Sequence, residues 1–376
     1  MKIKFRHIVT GKIIVTALIF PFLAAAHEPT KDFSDTPHKV WETGLQFMSG
    51  VNPFKPMPSQ FVAIWLSGDL LIVNAAEEGK TKDINVANAE RSMLLNLQNG
   101  RVQRLLPSGW ILWCFNSSRR IGAIRPSPFH PTLPYKRGQD DYQYELVKIS
   151  SDGSVARVSN ESEKINPTTC LPDHKYLDDF VIRRLREGHG AIVFYKNKTD
   201  IEKGMVSAYF PDNGRGPINL GIKPDEVIFF KEHYLEYLNK YQLNYFSYRK
   251  NSESLEEEKS GEMKSTPFRL MSINGEIEEI EYPAAWKNIN GGDIDYYAPT
   301  PAGGVLISES SIFIIMNNNV KRIWDGGSPR LFDKKKNIWG WRVSSDGCNL
   351  AFFYGSEWSP SSFKPISVIS LCEEKE

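Results

Sequence analysis

LLNLQNGRVQRLL (residues 94–106) runs as an apolar-rich strand pattern, breaks at Asn99-Gly100, and resumes. A two-residue hairpin turn needs positive φ, which Gly adopts freely and Asn tolerates, so the stretch reads as two antiparallel strands in fixed register. Four more stretches follow the same plan. They are LVKISSDGSVARVS (146–159) turning at Asp152-Gly153, VSAYFPDNGRGPINL (206–220) at Asn213-Gly214, FRLMSINGEIEEIEY (268–282) at Asn274-Gly275 and IFIIMNNNVKRIW (312–324) at Asn318-Asn319. Successive turns lie 53, 61, 61 and 44 residues apart. A hairpin recurring at that spacing predicts an array of similar small sheets, an all-β fold of the β-propeller kind.

Two further apolar segments precede each hairpin: FVAIWLSGDLLIVNA (61–75), GWILWCFNSSRRIGAI (109–124), DDFVIRRLREGHGAIVFY (178–195), EYLNKYQLNYFSYR (236–249) and IDYYAPTPAGGVLIS (294–308). Each unit therefore has four strands, A to D, with the tight turn joining C to D. The units fall at about 60–107, 109–159, 178–222, 226–283 and 292–326. A sixth, at 338–372, supplies A, B and C before the chain ends, and Lys39 to Phe47 is the unassigned segment that can supply its D strand. Closing a ring this way also removes open sheet edges. Six blades are expected; five or seven stay open, because the fourth unit is long and residues 160–177 are unassigned. The run FFKEHYLEYLNKYQLNYFSY (229–248) fits a helical stripe at Tyr234, Tyr237, Tyr241, Tyr245 and Tyr248, but its place inside the fourth unit favours strands with core-packing rings.

WRVSSDGCNLAFFYG (341–355) resembles the strand-turn-strand signature of TolB-type propellers, in which an apolar strand runs into Ser-Pro-Asp-Gly and a following strand ends in an aromatic and a small residue. Ser344, Asp346, Gly347, Leu350, Ala351 and Phe352 keep the pattern, and Ser345 stands where Pro is usual. The match covers one unit of six, with weaker echoes in GHGAIVFYKN (188–197) and GGVLISES (303–310). The resemblance implies the fold and carries no function with it, since that superfamily includes docking scaffolds, receptors and the non-catalytic halves of peptidases.

The N-terminus reads as an export signal. Lys2, Lys4, Arg6 and Lys12 form a basic region, Ile13 to Ala26 an apolar core, and Ala24-Ala25-Ala26 a cleavage site. Pro21 interrupts the apolar run, which is shorter than the roughly 20 residues a membrane span takes. Residues 1–26 are expected to be removed, leaving 27–376 as a single propeller domain, periplasmic or secreted, with no membrane span. Removal discards four basic and no acidic residues, so the net charge moves from +1 to −3. A slightly acidic chain without a basic block excludes a nucleic-acid footprint.

Four cysteines in an exported chain point to disulfides. Cys348 and Cys372 are equidistant from Pro360, so a hairpin of strands B and C sets them opposite each other. Cys114 and Cys170 remain as the second pair by elimination, although WILWCF also suits Cys114 as a buried thiol. No CxxC or His-Cys spacing indicates a metal, and no cofactor is implied.

The B-to-C connections are the long ones: Ala75 to Glu90, Pro126 to Tyr142, Lys196 to Gly204, Asn251 to Thr266 and Gly355 to Lys364. They leave one edge of the sheets, which makes that edge the expected binding face. SESLEEEKSGEMKS (252–265) is charged and suits a solvated spacer. PSPFHPTLPYKRGQDDY (126–142) is stiffened by four prolines and displays Phe129, His130, Tyr135, Lys136 and Arg137, groups that suit docking of a protein or glycan partner and equally suit a cover packed on its own propeller. No catalytic set stands out. His130, His174, His189 and His233 are scattered, and no serine has a nucleophile-elbow setting. Asp140-Asp141, Asp178-Asp179, Asp293 and Asp295 fit turns and strand starts. The alternative to a non-catalytic binder is a carbohydrate-active hydrolase or lyase using carboxylates at the channel mouth, such as Asp179, Asp293 and Asp295.

Overall fold

Three of the Asn-Gly and Asp-Gly turns do what their backbone chemistry dictates, and the fourth, Asn213-Gly214, lies outside the described residues. Gly100, Gly153 and Gly275 take φ of 65°, 85° and 85°, and each joins two antiparallel strands. The computed structural model describes residues 40–48, 51–52, 55–56, 63–77, 90–127, 144–158, 165–167, 170, 181–183, 192–195, 206–210, 215–219, 231–244, 268–272, 274–280, 294–308, 310–316, 319–326, 336–356 and 363–372. All of its sheets are antiparallel. The chain opens with β1 (Val40–Met48) and a two-rung hairpin, β2 (Val51–Asn52) with β3 (Lys55–Pro56).

Six consecutive units follow among the described residues. The first is β4 (Ala63–Trp65), β5 (Leu70–Glu77), β6 (Arg91–Asn96) and β7 (Arg101–Arg104). The second is β8 (Trp110–Asn116), β9 (Ile121–Pro126), β10 (Glu145–Ile149) and β11 (Val155–Arg157). The third is β12 (Val181–Arg183), β13 (Ile192–Tyr195), β14 (Val206–Phe210) and β15 (Arg215–Asn219). The fourth is β16 (Lys231–Leu235), β17 (Lys240–Asn244), β18 (Phe268–Ser272) and β19 (Ile277–Ile280), with the 3₁₀ turn Glu236–Leu238 between its first two strands. Over residues 231–244 the aromatic run is thus two strands about a 3₁₀ turn, and Tyr245 and Tyr248 lie outside the described residues. The fifth is β20 (Ile294–Thr300), β21 (Gly303–Ser308), β22 (Ser311–Met316) and β23 (Asn319–Asp325). Here Met316 faces Asn319, so Asn319 already belongs to β23 and the turn falls one residue earlier than the expected Asn318-Asn319.

The sixth unit has three strands of its own, β24 (Lys336–Val343), β25 (Asn349–Ser356) and β26 (Phe363–Ser370), and β1 is its fourth. Val40, Trp41 and Glu42 pair with Ile369, Val368 and Ser367, and Gln46, Phe47 and Met48 with Pro365, Lys364 and Phe363. Between these rungs Thr43, Gly44 and Leu45 stand opposite the single Ile366, a bulge. The Thr43 hydroxyl satisfies the backbone that the bulge unpairs, donating to the Ile366 carbonyl (2.7 Å) and accepting from the Leu45 amide (3.2 Å). On its other side β1 pairs Leu45 and Gln46 with Glu77 and Ala76, so the sixth and first units form one continuous sheet.

Sheets pack face to face, and the strand alternation shows which face meets which neighbour. Leu350, Phe352 and Tyr354 point at Ile307, Ile312 and Ile314 of the fifth unit, while Ala351 and Phe353 point at Leu71, Val73 and Met93 of the first. Ile72 and Leu94 turn the other way, onto Leu112, Phe115 and Val147 of the second. Leu270 of the fourth meets Leu306 and Phe313 of the fifth. Inner strands buried on both faces account for the unbroken apolar runs such as LLIV and AFFY.

The A-to-B turn of the last unit explains the SSDG motif. Ser344 and Asp346 hydrogen bond to each other, Asp346 accepts the Cys348 amide (3.0 Å), Ser344 accepts the Asn349 amide (2.8 Å), and Asn349 Nδ2 donates to the Gly68 carbonyl of the first unit (3.0 Å). The Ser345 carbonyl accepts the Tyr237 amide (3.3 Å) from the fourth unit, and the Tyr237 hydroxyl donates to the Pro299 carbonyl of the fifth. Both cysteine pairs are disulfides. Cys348–Cys372 joins this turn to the end of β26, and Cys114–Cys170 ties β8 to the segment after the second unit. Every described residue belongs to the unit Ser34–Glu376, and no helix among them is long and apolar enough to cross a membrane.

Candidate functional site

The two edges of the sheets are built differently. The described C-to-D connections are tight turns, and the A-to-B turn of the sixth unit bonds to those of the first and the fourth. At the opposite edge, β5 and β6 are separated by residues 78–90, β9 and β10 by 127–144, and β17 and β18 by 245–267. The fifth unit is the exception, with only residues 309–310 between β21 and β22.

A polar cluster sits at that edge, where the first and second units meet. Glu90 precedes β6 and Ser127 follows β9, and both are almost wholly buried. The Ser127 hydroxyl donates to the Glu90 carboxyl group, the Ser127 amide to the Gly109 carbonyl (2.7 Å), and the Gly109 amide to the Glu90 carbonyl (2.9 Å). These bonds fix the two points from which residues 78–89 and 128–143 depart. Burial raises the Glu90 pKa to about 7, because removing water disfavours the carboxylate more than Ser127 and the Arg125 guanidinium restore it. Arg125 in turn lies over the Trp113 ring, 3.5 Å from its centroid.

Trp113 sits at a bulge, half-buried against the Cys114, Ile121 and Ala123 cluster. Leu112 faces Ile124 and Cys114 faces Ala123, which leaves Trp113 as the extra residue of β8. Side chains of the first unit hold this bulge. Leu112 N–H donates to Ser92 Oγ (2.7 Å), Ser92 Oγ donates to Asn74 Oδ1 (2.6 Å), and Asn74 Nδ2 donates to the Leu112 carbonyl (2.8 Å), a closed ring of buried hydrogen bonds. The last unit repeats the device. Ile338 faces Tyr354 and Gly340 faces Phe353, so Trp339 is the extra residue of β24, and the residue is 48% exposed. Trp339 Nε1 donates to the Gly355 carbonyl (3.1 Å), and Lys364 Nζ lies 4.1 Å from the ring centroid. Lys364 is buried, which pushes its pKa down. Only glycine fits at 340, since a Cβ there would lie 2.2 Å from Phe353 Cε1. A cleft of about 470 Å³ also opens beside β1, lined by Thr43, Gly44, Leu45, Glu77, Met93, Val102 and Arg104, with the Arg104–Glu77 ion pair (2.8 Å) at its wall.

Sequence reasoning reached the edge and missed these side chains. Phe129, His130, Tyr135, Lys136 and Arg137 lie outside the described residues, as do Asp140, Asp141, Asp178, Asp179, Asp293, His174, His189 and residues 1–39. His233 pairs with Gln242 on β16, and Asp295 is the extra residue of a bulge in β20, between Ile294 facing Ser308 and Tyr296 facing Ile307. Among the described residues no three His, Cys, Asp or Glu side chains group as a metal site.

No family of known proteins matches the sequence, and no curated protein does. Solved structures with similar arrangements of strands include WD40 and other propeller-like folds. A chain of the mitotic checkpoint complex is 11% identical, covering 97% of this chain and 100% of that one at a TM-score of 0.38. An oligogalacturonate lyase from Vibrio parahaemolyticus is 9% identical, covering 90% and 99% at 0.36, and the Pan2 WD40 domain of Neurospora crassa is 10% identical, covering 90% and 100% at 0.33. At these scores none of them assigns an activity, a substrate or a partner to this chain.

Proposed function

We propose that the chain is an exported six-bladed β-propeller of the TolB-like kind, its ring completed by β1, which binds a protein or glycan partner through its B-to-C edge without catalysing a reaction. The two disulfides and the signal-like residues 1–26 support export. Support for the ring comes from the sixth unit, which packs one face on the fifth and the other on the first while sharing β1 with the first.

The observation that carries the binding reading is the contrast between the edges. One carries short turns, of which that of the sixth unit bonds to those of the first and the fourth. The other sends long segments from anchors such as Ser127, whose backbone and side chain are both pinned in the buried Glu90 cluster. A proline-stiffened segment leaving a fixed point loses little freedom when a partner arrives. Immobilised wild-type protein and a variant with residues 129–142 replaced by a short Gly-Ser linker are compared for retention of protein and polysaccharide from a periplasmic or culture-supernatant extract. The variant is expected to lose the retained partner; equal retention by both overturns the reading.

A further inference from the structure

We infer that Trp339 is a stacking platform for a neutral pyranose ring, which rests on the reading of the B-to-C edge as the binding face and names the ligand class it takes. The bulge at Trp339 lifts the indole out of the pleat, and glycine at 340 permits it because Phe353 fills the space where a side chain would go. The ring is then pinned. Its N–H is spent on the Gly355 carbonyl, and the Lys364 ammonium braces one face from a buried position. What remains open is an apolar, electron-rich surface with no hydrogen-bonding group left to offer. A pyranose matches it: one face of the sugar presents C–H groups to an aromatic ring, and its edge keeps the hydroxyls in water.

The surroundings decide against the other users of an exposed indole. An aromatic anchor for protein docking sits within a larger apolar patch that excludes water. The other large apolar side chains of comparable exposure among the described residues, Val155 at 36% and Leu238 at 38%, lie on the second and fourth units, so no other described side chain of this kind shares the sixth unit with Trp339. A nucleobase ligand brings phosphates, and the chain lacks the basic excess to hold them. Trp113 occupies the same kind of bulge in β8, but Arg125 covers its ring and it packs on the Cys114, Ile121 and Ala123 cluster, so it offers no second platform.

The test is native electrophoresis of the full exported chain in gels containing hydroxyethylcellulose, galactomannan, glycol chitin or laminarin. At least one polysaccharide is expected to retard the wild type. Trp339→Ala should weaken the retardation on the order of tenfold, Trp339→Phe should keep most of it, and Val155→Ala should match the wild type. Should Trp339→Ala not fold, Trp339→Gln, which keeps bulk and loses the aromatic face, is read in its place. No retardation of the wild type by any of the four, or equal retardation of a folded Trp339→Ala, overturns the inference. The linker variant of residues 129–142 separates the two readings. Retardation lost there but kept in Trp339→Ala removes the platform and leaves the edge. A wild type that retains a protein partner from extract yet ignores every polysaccharide removes the sugar and leaves the edge. Retardation and extract retention unchanged in both variants remove platform and edge together.

Discussion

Glu90 is an almost wholly buried carboxyl group that accepts from the Ser127 hydroxyl and feels the Arg125 guanidinium, and its stability contribution has a definite sign. Its folded pKa of about 7 stands above the ordinary 4.5, so between these values the native chain holds a proton that the unfolded chain releases. Stabilisation from this group is complete below about pH 4.5 and is lost as pH rises through 7; the shift corresponds to about 3 kcal/mol. Glu90→Gln keeps a neutral acceptor for Ser127 and has no proton to lose. Thermal melts of both proteins should coincide near pH 4.5, and the variant should become the more stable by pH 8. A constant gap across that range would place the carboxyl group in water. Gly340 supports a second expectation at this scale. Gly340→Ala drives a methyl group into the Phe353 ring, so urea denaturation should show a loss of about 1–3 kcal/mol with the exposed fluorescence of Trp339 altered.

Elements in this chain are held by two kinds of information, and only one is local. The hairpins were legible because an Asn-Gly or Asp-Gly pair between alternating residues dictates its own backbone; the four-strand units, the Cys348–Cys372 pairing and the strand that completes the last unit followed from spacing. Asn317, Asn318 and Asn319 offer overlapping turn placements, and the pairing of Met316 with Asn319 selects the earlier one, a choice invisible in three identical residues. The bulges at Trp113 and Trp339 were illegible for a deeper reason. What stabilises the first is the ring through Asn74 and Ser92, which come from another unit, and what permits the second is a ring on the facing strand. Glu90 reads as one more loop-end acid until folding brings Ser127 to it. Ser92→Ala tests the inter-unit ring. It strands the Leu112 amide and Asn74 Oδ1 in the interior, so a loss of about 1–3 kcal/mol is expected in denaturant titration, whereas Ser92→Thr, which keeps the hydroxyl, should lose less. Equal losses would mean the hydroxyl is not what the bulge requires.

The whole molecule depends on β1 in a way no other strand matches, because it pairs on both sides with segments hundreds of residues apart in sequence. It covers the edge of β26 and reaches Ala76 and Glu77 at the end of β5, while Leu45 and Phe47 fill the seam between the sixth and first units; Phe47 lies 4.5 Å from Phe353. The Cys348–Cys372 disulfide holds only β25 to β26 and leaves this junction to β1. A chain lacking residues 40–48 would therefore present the unpaired edge of β26, a freed end of β5 at Ala76 and Glu77, and an uncovered apolar seam, a template for pairing with other copies. Size-exclusion chromatography should show it self-associating where the full chain is monodisperse, with a lowered melting temperature. Phe47→Asp should move in the same direction by burying a charge against Phe353. The stronger test adds a synthetic peptide of residues 39–49 to the truncated chain. If β1 acts by pairing, the peptide restores both the monodisperse peak and the melting temperature in a saturable way, and the peptide carrying Phe47→Asp does not. A truncated chain that stays monodisperse and melts as the full one does would show that the sixth and first units hold together by face packing alone.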